Sequence, residues 1–432
     1  MIHIPEAFTH LIEKALSAMK AYPSQHIDLF HHNDTDGLSA GAILRTAFDR
    51  AGYEVSASAL EKPYPPVLEK IFERGGRIVI FADFAGKIAP MVSLMNGGKN
   101  LVLIVDHHPA EAVEDPLVFV VDADLFGLKG DRDISASATC FVLARQLDPV
   151  NEDLARLGVL GAIGDGFFVD GALSGVNRDI LMAAEAQGTI RTEKVRSQSS
   201  ASDSRDTGVE PAGKRPAGEE YYIRLEAEYP AAQVCSVLDT LGGVGYYRDG
   251  ASKGLELCLT GFTPVLAEEV RALLDTRKKI FDAEIARLRS GGLHTTAHLQ
   301  WFDVEERFRP MGVKMIGVFC TVIRNMDFLD PGKYLAGFQT LPDEVPGFGK
   351  IAFNSRKISM RVSDFLTEEI RAGRKPGLSA FLPEATIRLG GFADACHALS
   401  AATTIETGRE QELMDETERV LSEKLRRNTT AG

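Results

Sequence analysis

The residues best able to do chemistry in this chain are aspartates and histidines that follow short apolar runs. His32-Asn33-Asp34-Thr35-Asp36-Gly37 follows HIDLF, and Asp83 closes RIVIFAD. Asp106-His107-His108 closes NLVLIVD, and Asp165 follows VLGAIG. Imidazole is the commonest transition-metal ligand, and carboxylate oxygens suit Mn²⁺ and Mg²⁺. Each feature alone has a plainer reading. DxDG reads as a turn, Asp83 as a helix N-cap, and Asp165 as a turn residue. A calcium loop is excluded, because its twelfth position needs a bidentate Glu and holds Ile43 here. Together, carboxylates converging on one point repel unless cations lie between them. Two cations roughly 3.5–4 Å apart, sharing a carboxylate, are the usual arrangement for phosphoryl chemistry. The expected chemistry is phosphoester hydrolysis by two-metal activation of water.

Positioning such a cluster needs a sheet whose strand ends meet. Residues 23–185 supply the pattern. QHIDLFHH, EVSASAL, RIVIFADF, NLVLIVDHH and PLVFVVDAD are short apolar, β-branched runs, separated by helical stretches such as LSAGAILRTAFDRAG and PVLEKIFERGG. Continuous apolar strands alternating with helices predict an α/β fold with a mostly parallel sheet covered on both faces. Ligands of such sheets bind beyond the carboxyl ends of the strands, where these acids and histidines fall.

Beyond this region, the polar stretch 193–219 reads as a disordered insertion. Residues 264–290 predict one long helix, with Leu266, Val270, Leu273, Leu274, Ile280, Ile285 and Leu288 in a stripe and Gly291-Gly292 ending it. A second α/β domain is expected over 293–405, with MIGVFCTVI, YLAGFQTL and KISMRVSDF read as strands. The expected domains are then 1–192, with 220–292 completing that domain and linking onward, 293–405, and a charged terminal helix within 406–432. Leu413, Val420, Leu421 and Leu425 on one side of that helix predict packing on the body.

Composition narrows the class. The 432 residues exceed one ordinary core, and 44% hydrophobic with 25% charged is that of a globular protein. The formal net charge of −13 argues against non-specific duplex binding through a globally basic surface. Residues 293–405 carry 13 Lys and Arg against 12 Asp and Glu, which makes this region the better partner for phosphates. No run of 18 apolar residues predicts a membrane span, and the N-terminus reads as an amphipathic helix. Five scattered cysteines (Cys140, Cys235, Cys258, Cys320, Cys396) without CxxC predict buried thiols in a reducing cytoplasm.

HNDTDG, FAD, VDHH and AIGD, in this order over about 135 residues, resemble the four motifs of the DHH phosphoesterase family. GKIAFNSRKISMRVS and Gly390-Gly391 resemble the substrate-binding strand and glycine motif of that family's C-terminal domain. VCSVLDTLGGVGYYRDGASKGLELCL is similar to the branch of the single-strand exonuclease RecJ and the archaeal GINS-associated nuclease. The resemblance implies a parallel-sheet DHH domain joined by a long helix to a smaller α/β domain. It implies His32, Asp34, Asp36, Asp83, Asp106, His107 and Asp165 as metal ligands. Asp106 and His108 would be catalytic, with His108 contacting the scissile phosphate or protonating the leaving group. Arg356 and Arg361 would fork onto substrate phosphate, and Gly390 and Gly391 would bring backbone N–H groups to it. The expected cofactor is Mn²⁺, as two ions, with Mg²⁺ also accommodated.

Two departures stand out. Phe392 follows Gly391 where the nuclease branch carries a histidine, the nearest histidine being His397. Asp122-Ala123-Asp124 stands where an Asn-Pro turn is common. The helix start before Cys140 offers N–H groups to a phosphate. The leading expectation is hydrolysis of phosphodiesters in single-stranded DNA or RNA, or in short oligonucleotides. A small-nucleotide phosphodiesterase (cyclic dinucleotide, linear dinucleotide or nucleotide bisphosphate) is the alternative, and a non-catalytic scaffold in a replication or repair complex is the second.

Overall fold

The computed structural model describes residues 2–195 and 218–430. Two compact units form: residues 1–274 with 346–348, and residues 275–345 with 349–432.

In the first unit, helix α1 (Glu6–Ala21) precedes five strands: β1 (His26–His32), β2 (Glu54–Leu60), β3 (Ile78–Ala82), β4 (Leu101–Asp106) and β5 (Val118–Asp122). They form one parallel sheet in the order β2-β1-β3-β4-β5. Every residue of β3 and β4 is buried, as strands covered on both faces require. Helices α2 (Thr35–Arg50), α3 (Pro65–Phe72) and α4 (Ala89–Asn96) alternate with the strands. Two more, α5 (Ala136–Leu147) and α6 (Ala155–Gly164), pack on α2. The parallel sheet puts the carboxyl ends of β1, β3 and β4 side by side, so residues 32–36, 83 and 106–108 meet.

A short hairpin, β6 (Phe168–Val169) with β7 (Ala172–Leu173), leads to α7 (Gly175–Ala186). Strands β8 (Ile190–Val195), β9 (Gly218–Arg224) and β10 (Glu228–Pro230) make an antiparallel sheet. The disorder expected at 193–219 therefore fails at its edges, where Val195 pairs with Gly218; residues 196–217 lie outside the described residues. Helices α8 (Ala231–Asp239), α9 (Gly250–Thr260) and α10 (Pro264–Arg289) follow. Helix α10 matches the long helix read at 264–290. Its residues up to Leu274 belong to the first unit and the rest to the second.

The second unit is built on a mixed six-stranded sheet, β11-β12-β13-β16-β18-β17. The strands are β11 (His294–Thr295), β12 (Leu299–Asp303), β13 (Tyr334–Thr340), β16 (Ser355–Arg361), β17 (Phe392–Cys396) and β18 (Ser400–Glu406). A small hairpin, β14 (Glu344–Val345) with β15 (Gly349–Lys350), lies between β13 and β16. MIGVFCTVI is not a strand: it forms helix α11 (Met315–Ile323). A wholly apolar run shows no period of its own. Packing decides, by burying Met315, Ile316, Phe319, Cys320 and Ile323 at helical spacing and leaving Val322 outside. Phe319 meets Phe281, Phe302 and Phe308 edge-on. On the other face, Trp301, Tyr334, Phe338, Ile358 and Met360 form a core with α12 (Asp364–Arg371), α13 (Leu382–Arg388) and α14 (Glu410–Thr430). Leu413, Met414, Val420 and Leu421 of α14 are buried in it. The terminal helix is thus part of this unit, which begins at Asp275 and not at residue 293.

Candidate metal centre

Asp83 sits at the centre of the cluster. It follows β3 with φ at +69°, in the left-handed region that a non-glycine residue rarely occupies. Its carboxylate is buried, and neither oxygen takes a well-formed hydrogen bond. Three groups of metal-competent atoms converge on it, each with its atoms within 4.8 Å of one another. They are His32, Asp34 and Asp83; Asp36, Asp83, His107 and Asp165; and Asp83, Asp106, His107 and His108. All eight acids and histidines singled out in the first unit are therefore brought together, and one carboxylate is common to every group.

The first group stands at the end of β1. His32 Nδ1 lies 2.8 Å from Asp34 Oδ2 and 3.3 Å from Asp83 Oδ2. Asp34 also caps α2, its Oδ1 accepting from the Gly37 N–H at 3.1 Å. One residue thus caps the helix, where the plainer reading was a turn, and also lies among the metal-competent groups. Asp36 is wholly buried and held differently. Its oxygens accept from the N–H groups of Ala136 (2.8 Å) and Ser137 (3.0 Å), the first turn of α5. The helix start expected to receive a phosphate is thus occupied by a carboxylate of the protein itself.

At the end of β4, Asp106 is fully engaged. Its Oδ2 accepts from Gly86 N–H at 2.9 Å and its Oδ1 from His107 N–H at 2.8 Å. His108 Nδ1 lies 2.8 Å from the same Oδ1, and this ring is the more exposed of the pair. Burial alone would raise the Asp106 carboxyl, but the His108 charge and hydrogen bond outweigh it and hold it low. The His107 ring is buried. Its Nδ1 lies 2.5 Å from the Gly130 carbonyl, and its Nε2 3.3 Å from Asp83 Oδ1 and 3.6 Å from Asp165 Oδ2. Asp165 arrives as the residue capping the end of α6.

The electrostatics ask for positive charge. Burial and the nearby Asp34 carboxylate push Asp83 well above the usual carboxylate range. Burial opposes protonation of His107, but Asp83, Asp165 and Asp36 overcome it and raise the imidazole well above its ordinary value. A buried carboxylate approached at 3.3 Å by two imidazole nitrogens and ringed by further carboxylates fits divalent cations held by oxygen and nitrogen.

Asp122, Gly86 and Gly130 complete the surroundings. Asp122 ends β5 in register with Asp106, and among the described residues its buried Oδ2 has no hydrogen-bond partner. Burial, with Asp106 alongside, pushes its carboxyl up to about 8. A methyl group on Gly86 would stand 3.0 Å from Asp106 Oδ2 and 3.1 Å from Asp122 Oδ2. The acid ending PLVFVVD was the available signal for Asp122; nothing local marks Gly130.

In the second unit the named residues diverge. Arg356 is bound by acids: Nε lies 2.9 Å from Glu410 and Nη1 3.5 Å from Asp303. Its guanidinium is committed within the fold. Arg361 is half-buried, among the described residues no carboxylate lies beside it, and desolvation lowers its pKa. It donates to Thr321 Oγ1, the Met360 carbonyl and Ser359 Oγ. The N–H groups of Gly390 and Gly391 are donated to the carbonyls of Ile387 and Thr386, ending α13. They serve the helix end, contrary to the expectation that they reach a phosphate. Phe392 opens β17, and His397 lies in the turn between β17 and β18.

No known protein-family profile matches the chain. An uncharacterised protein of Methanocaldococcus jannaschii is 32% identical over 165 residues, covering 36% of this chain and 37% of that relative. Solved structures match more widely. RecJ from Thermus thermophilus in complex with Mn²⁺ superposes with a TM-score of 0.61 at 14% identity, over 98% of this chain and 56% of that one. The DHH domain of a member of the s1p family of ribosomal proteins gives 0.59 at 12% identity, over 97% and 91%. CDC45 from Entamoeba histolytica gives 0.55 at 11% identity, over 98% and 100%. The chain thus spans little more than half of the RecJ structure and about a third of the curated relative. At these identities the likeness establishes the fold, which is that of DHH-domain proteins in their RecJ-like form. Among the described residues, no helix is long and apolar enough to cross a membrane.

Proposed function

We propose that this chain, which has the RecJ-like DHH fold, is a divalent-metal-dependent phosphoesterase. Its substrate on this reading is a phosphodiester in single-stranded nucleic acid or a short oligonucleotide. The observation that carries it is Asp83: one buried carboxylate, neither oxygen in a well-formed hydrogen bond, shared by three groups of metal-competent side chains. His32, Asp34 and Asp83 would hold one ion, and Asp36, Asp83, His107 and Asp165 a second. Mn²⁺ suits the mixed imidazole and carboxylate donors, and Mg²⁺ the oxygens. When bound, such ions supply Lewis-acid activation of water and offset charge on the phosphoryl oxygens.

The protein's own groups do the rest. Asp106 orients His108 through Nδ1, leaving Nε2 to contact the scissile phosphate and give a proton to the departing oxygen. Asp106 is itself locked by Gly86 and His107, so the DHH turn is rigid before substrate arrives. Arg361, a half-buried cation with no carboxylate beside it among the described residues, is the candidate phosphate anchor of the second unit. The free, mostly buried thiols support a cytoplasmic setting.

The test is hydrolysis of end-labelled oligonucleotides, from dinucleotide to about 30-mer, with Mn²⁺ and with chelator. The Asp106→Ala/His107→Ala variant is the blank. Metal-dependent loss of long single strands, absent in the variant, supports the nuclease reading. Cleavage confined to the shortest substrates moves the assignment to a small-nucleotide phosphodiesterase. No hydrolysis and no bound metal favours a scaffold and overturns the enzyme.

A further inference from the structure

We propose that Asp239, with Gly242, forms a strap that presets the loop carrying His32, Asp34 and Asp36. This inference rests on the reading that those three residues hold metal. The loop alternates. His32, Asp34 and Asp36 face the cluster, whereas Asn33 and Thr35, both buried, are gripped by a segment about two hundred positions further along the chain. Asn33 Nδ2 donates to the Gly242 carbonyl at 2.8 Å. Asp239 Oδ1 accepts from the Thr35 N–H at 3.1 Å. The Thr35 hydroxyl lies 3.1 Å from that oxygen and 3.0 Å from the Cys235 carbonyl, and shares its proton between them.

The strap's own backbone is specialised for this approach. Residues Thr240–Val244 continue α8 as a π-helical turn, an irregularity found mostly at functional sites. A methyl group on Gly242 would stand 1.7 Å from the Asn33 carbonyl oxygen, so only glycine lets the two backbones meet.

The physical consequence concerns the metal-free protein. Asp34, Asp36 and Asp83 repel one another, and a free loop would splay to separate them. Hydrogen bonds at positions 33 and 35 fix the backbone on both sides of Asp34, and with it the directions of the alternate side chains. The contact to Asp239 is charge-assisted and among the stronger kinds. Asp239 is thus a positioning residue, acting on the ligands through Thr35.

The experiment compares Asp239→Ala with Asp239→Asn, whose amide oxygen still accepts. Mn²⁺ affinity is measured by titration calorimetry, and hydrogen exchange of the 33–38 amides is measured in chelator-treated protein. The expected result is a loss of about 10–100-fold in Mn²⁺ affinity for Asp239→Ala, the range for outer-shell partners of metal sites. Exchange should quicken in residues 33–38, and Asp239→Asn should recover most of both. Wild-type affinity and wild-type exchange in Asp239→Ala would overturn the strap. If the wild-type protein binds no Mn²⁺, the metal reading fails, and the strap is judged on exchange alone. If Asp239→Ala does not fold, Thr35→Val against Thr35→Ser tests the hydroxyl bonds to Asp239 and Cys235, the Thr35 N–H bond being kept in both. Serine keeps the hydroxyl, valine keeps the shape, and equal Mn²⁺ affinity and exchange in the two would overturn the proposal.

Discussion

The carbonyl oxygen of Gly130 lies 2.5 Å from Nδ1 of His107. That contact keeps a proton on Nδ1 and points Nε2 at Asp83 and Asp165. A ligating imidazole is commonly oriented this way, with its second nitrogen tied to a carbonyl. A methyl group on Gly130 would stand 1.5 Å from the His107 carbonyl oxygen. Gly130→Ala must therefore shift the loop away from His107. The expected outcome is a loss of about 10–100-fold in Mn²⁺ affinity by calorimetry, with the fold retained by circular dichroism. Unchanged affinity would mean that the carbonyl does not set the ring.

Asp83 is common to every candidate ligand group, so its removal should affect all bound metal together. Metal content after dialysis into Mn²⁺ and gel filtration is expected to fall towards zero in Asp83→Ala. Asp165→Ala, which touches one group, should lose only part of it. Retention of the wild-type metal content by Asp83→Ala would remove Asp83 from the centre.

Asp34 and Asp36 are both acids of the same loop, but they do different structural work. Asp34 accepts one helix N–H and Asp36 accepts two, from a buried helix start. Each substitution removes one carboxylate from the cluster, and Asp34→Ala also removes the His32 contact, so the comparison sets that contact against the additional buried N–H served by Asp36. Asp36→Ala should unfold more easily than Asp34→Ala in urea with chelator present, by on the order of 2 kcal/mol for the additional buried N–H left without an acceptor. Equal stabilities would refute the assignment.

Arg356 and Arg361 should also separate. Arg356→Ala leaves Asp303 and Glu410 without their cation, and is expected to destabilise the protein. Arg361→Met removes a half-buried cation that faces no acid among the described residues, leaves no carboxylate stranded, and should cost less stability than Arg356→Ala. If Arg361 anchors phosphate, the same variant should weaken oligonucleotide binding while Arg356→Lys does so less. The opposite ranking in urea would show that the two roles are reversed.

His31 gives a pH signature. Burial depresses its pKa from the ordinary value to about 4, and Gly41 packs against its ring. Between that value and the unfolded pKa near 6.5, the unfolded chain binds a proton that the folded chain refuses. Stability is therefore full above about pH 6.5 and falls as pH drops towards 4, by on the order of 3 kcal/mol from this residue. Urea midpoints of wild type and His31→Gln, measured from pH 7 to pH 4, should show a smaller decline in the variant.

The parallel sheet and its cluster were legible in the sequence because both are local. Apolar runs of strand length announce β1, β3, β4 and β5, and acids placed just past them must project where a parallel sheet meets solvent. The long helix α10 was legible from its stripe for the same reason. What only the tertiary structure decided is non-local or lacks a period. MIGVFCTVI is apolar throughout, so only packing against Phe281, Phe302 and Phe308 made it a helix. Arg356 and Arg361 look alike in KISMR and its flanks, yet the acids that bind one lie at Asp303 and Glu410. The sequence points the glycines at 390 and 391 to a phosphate, whereas in the folded chain α13 takes their N–H groups. The supports of the metal centre come from Gly130, Ala136 and Ser137, with the strap at Asp239 and Gly242 behind them. Each donates or accepts through backbone or across long separations, and a hydrogen bond spanning two hundred residues leaves no spacing in the sequence to read.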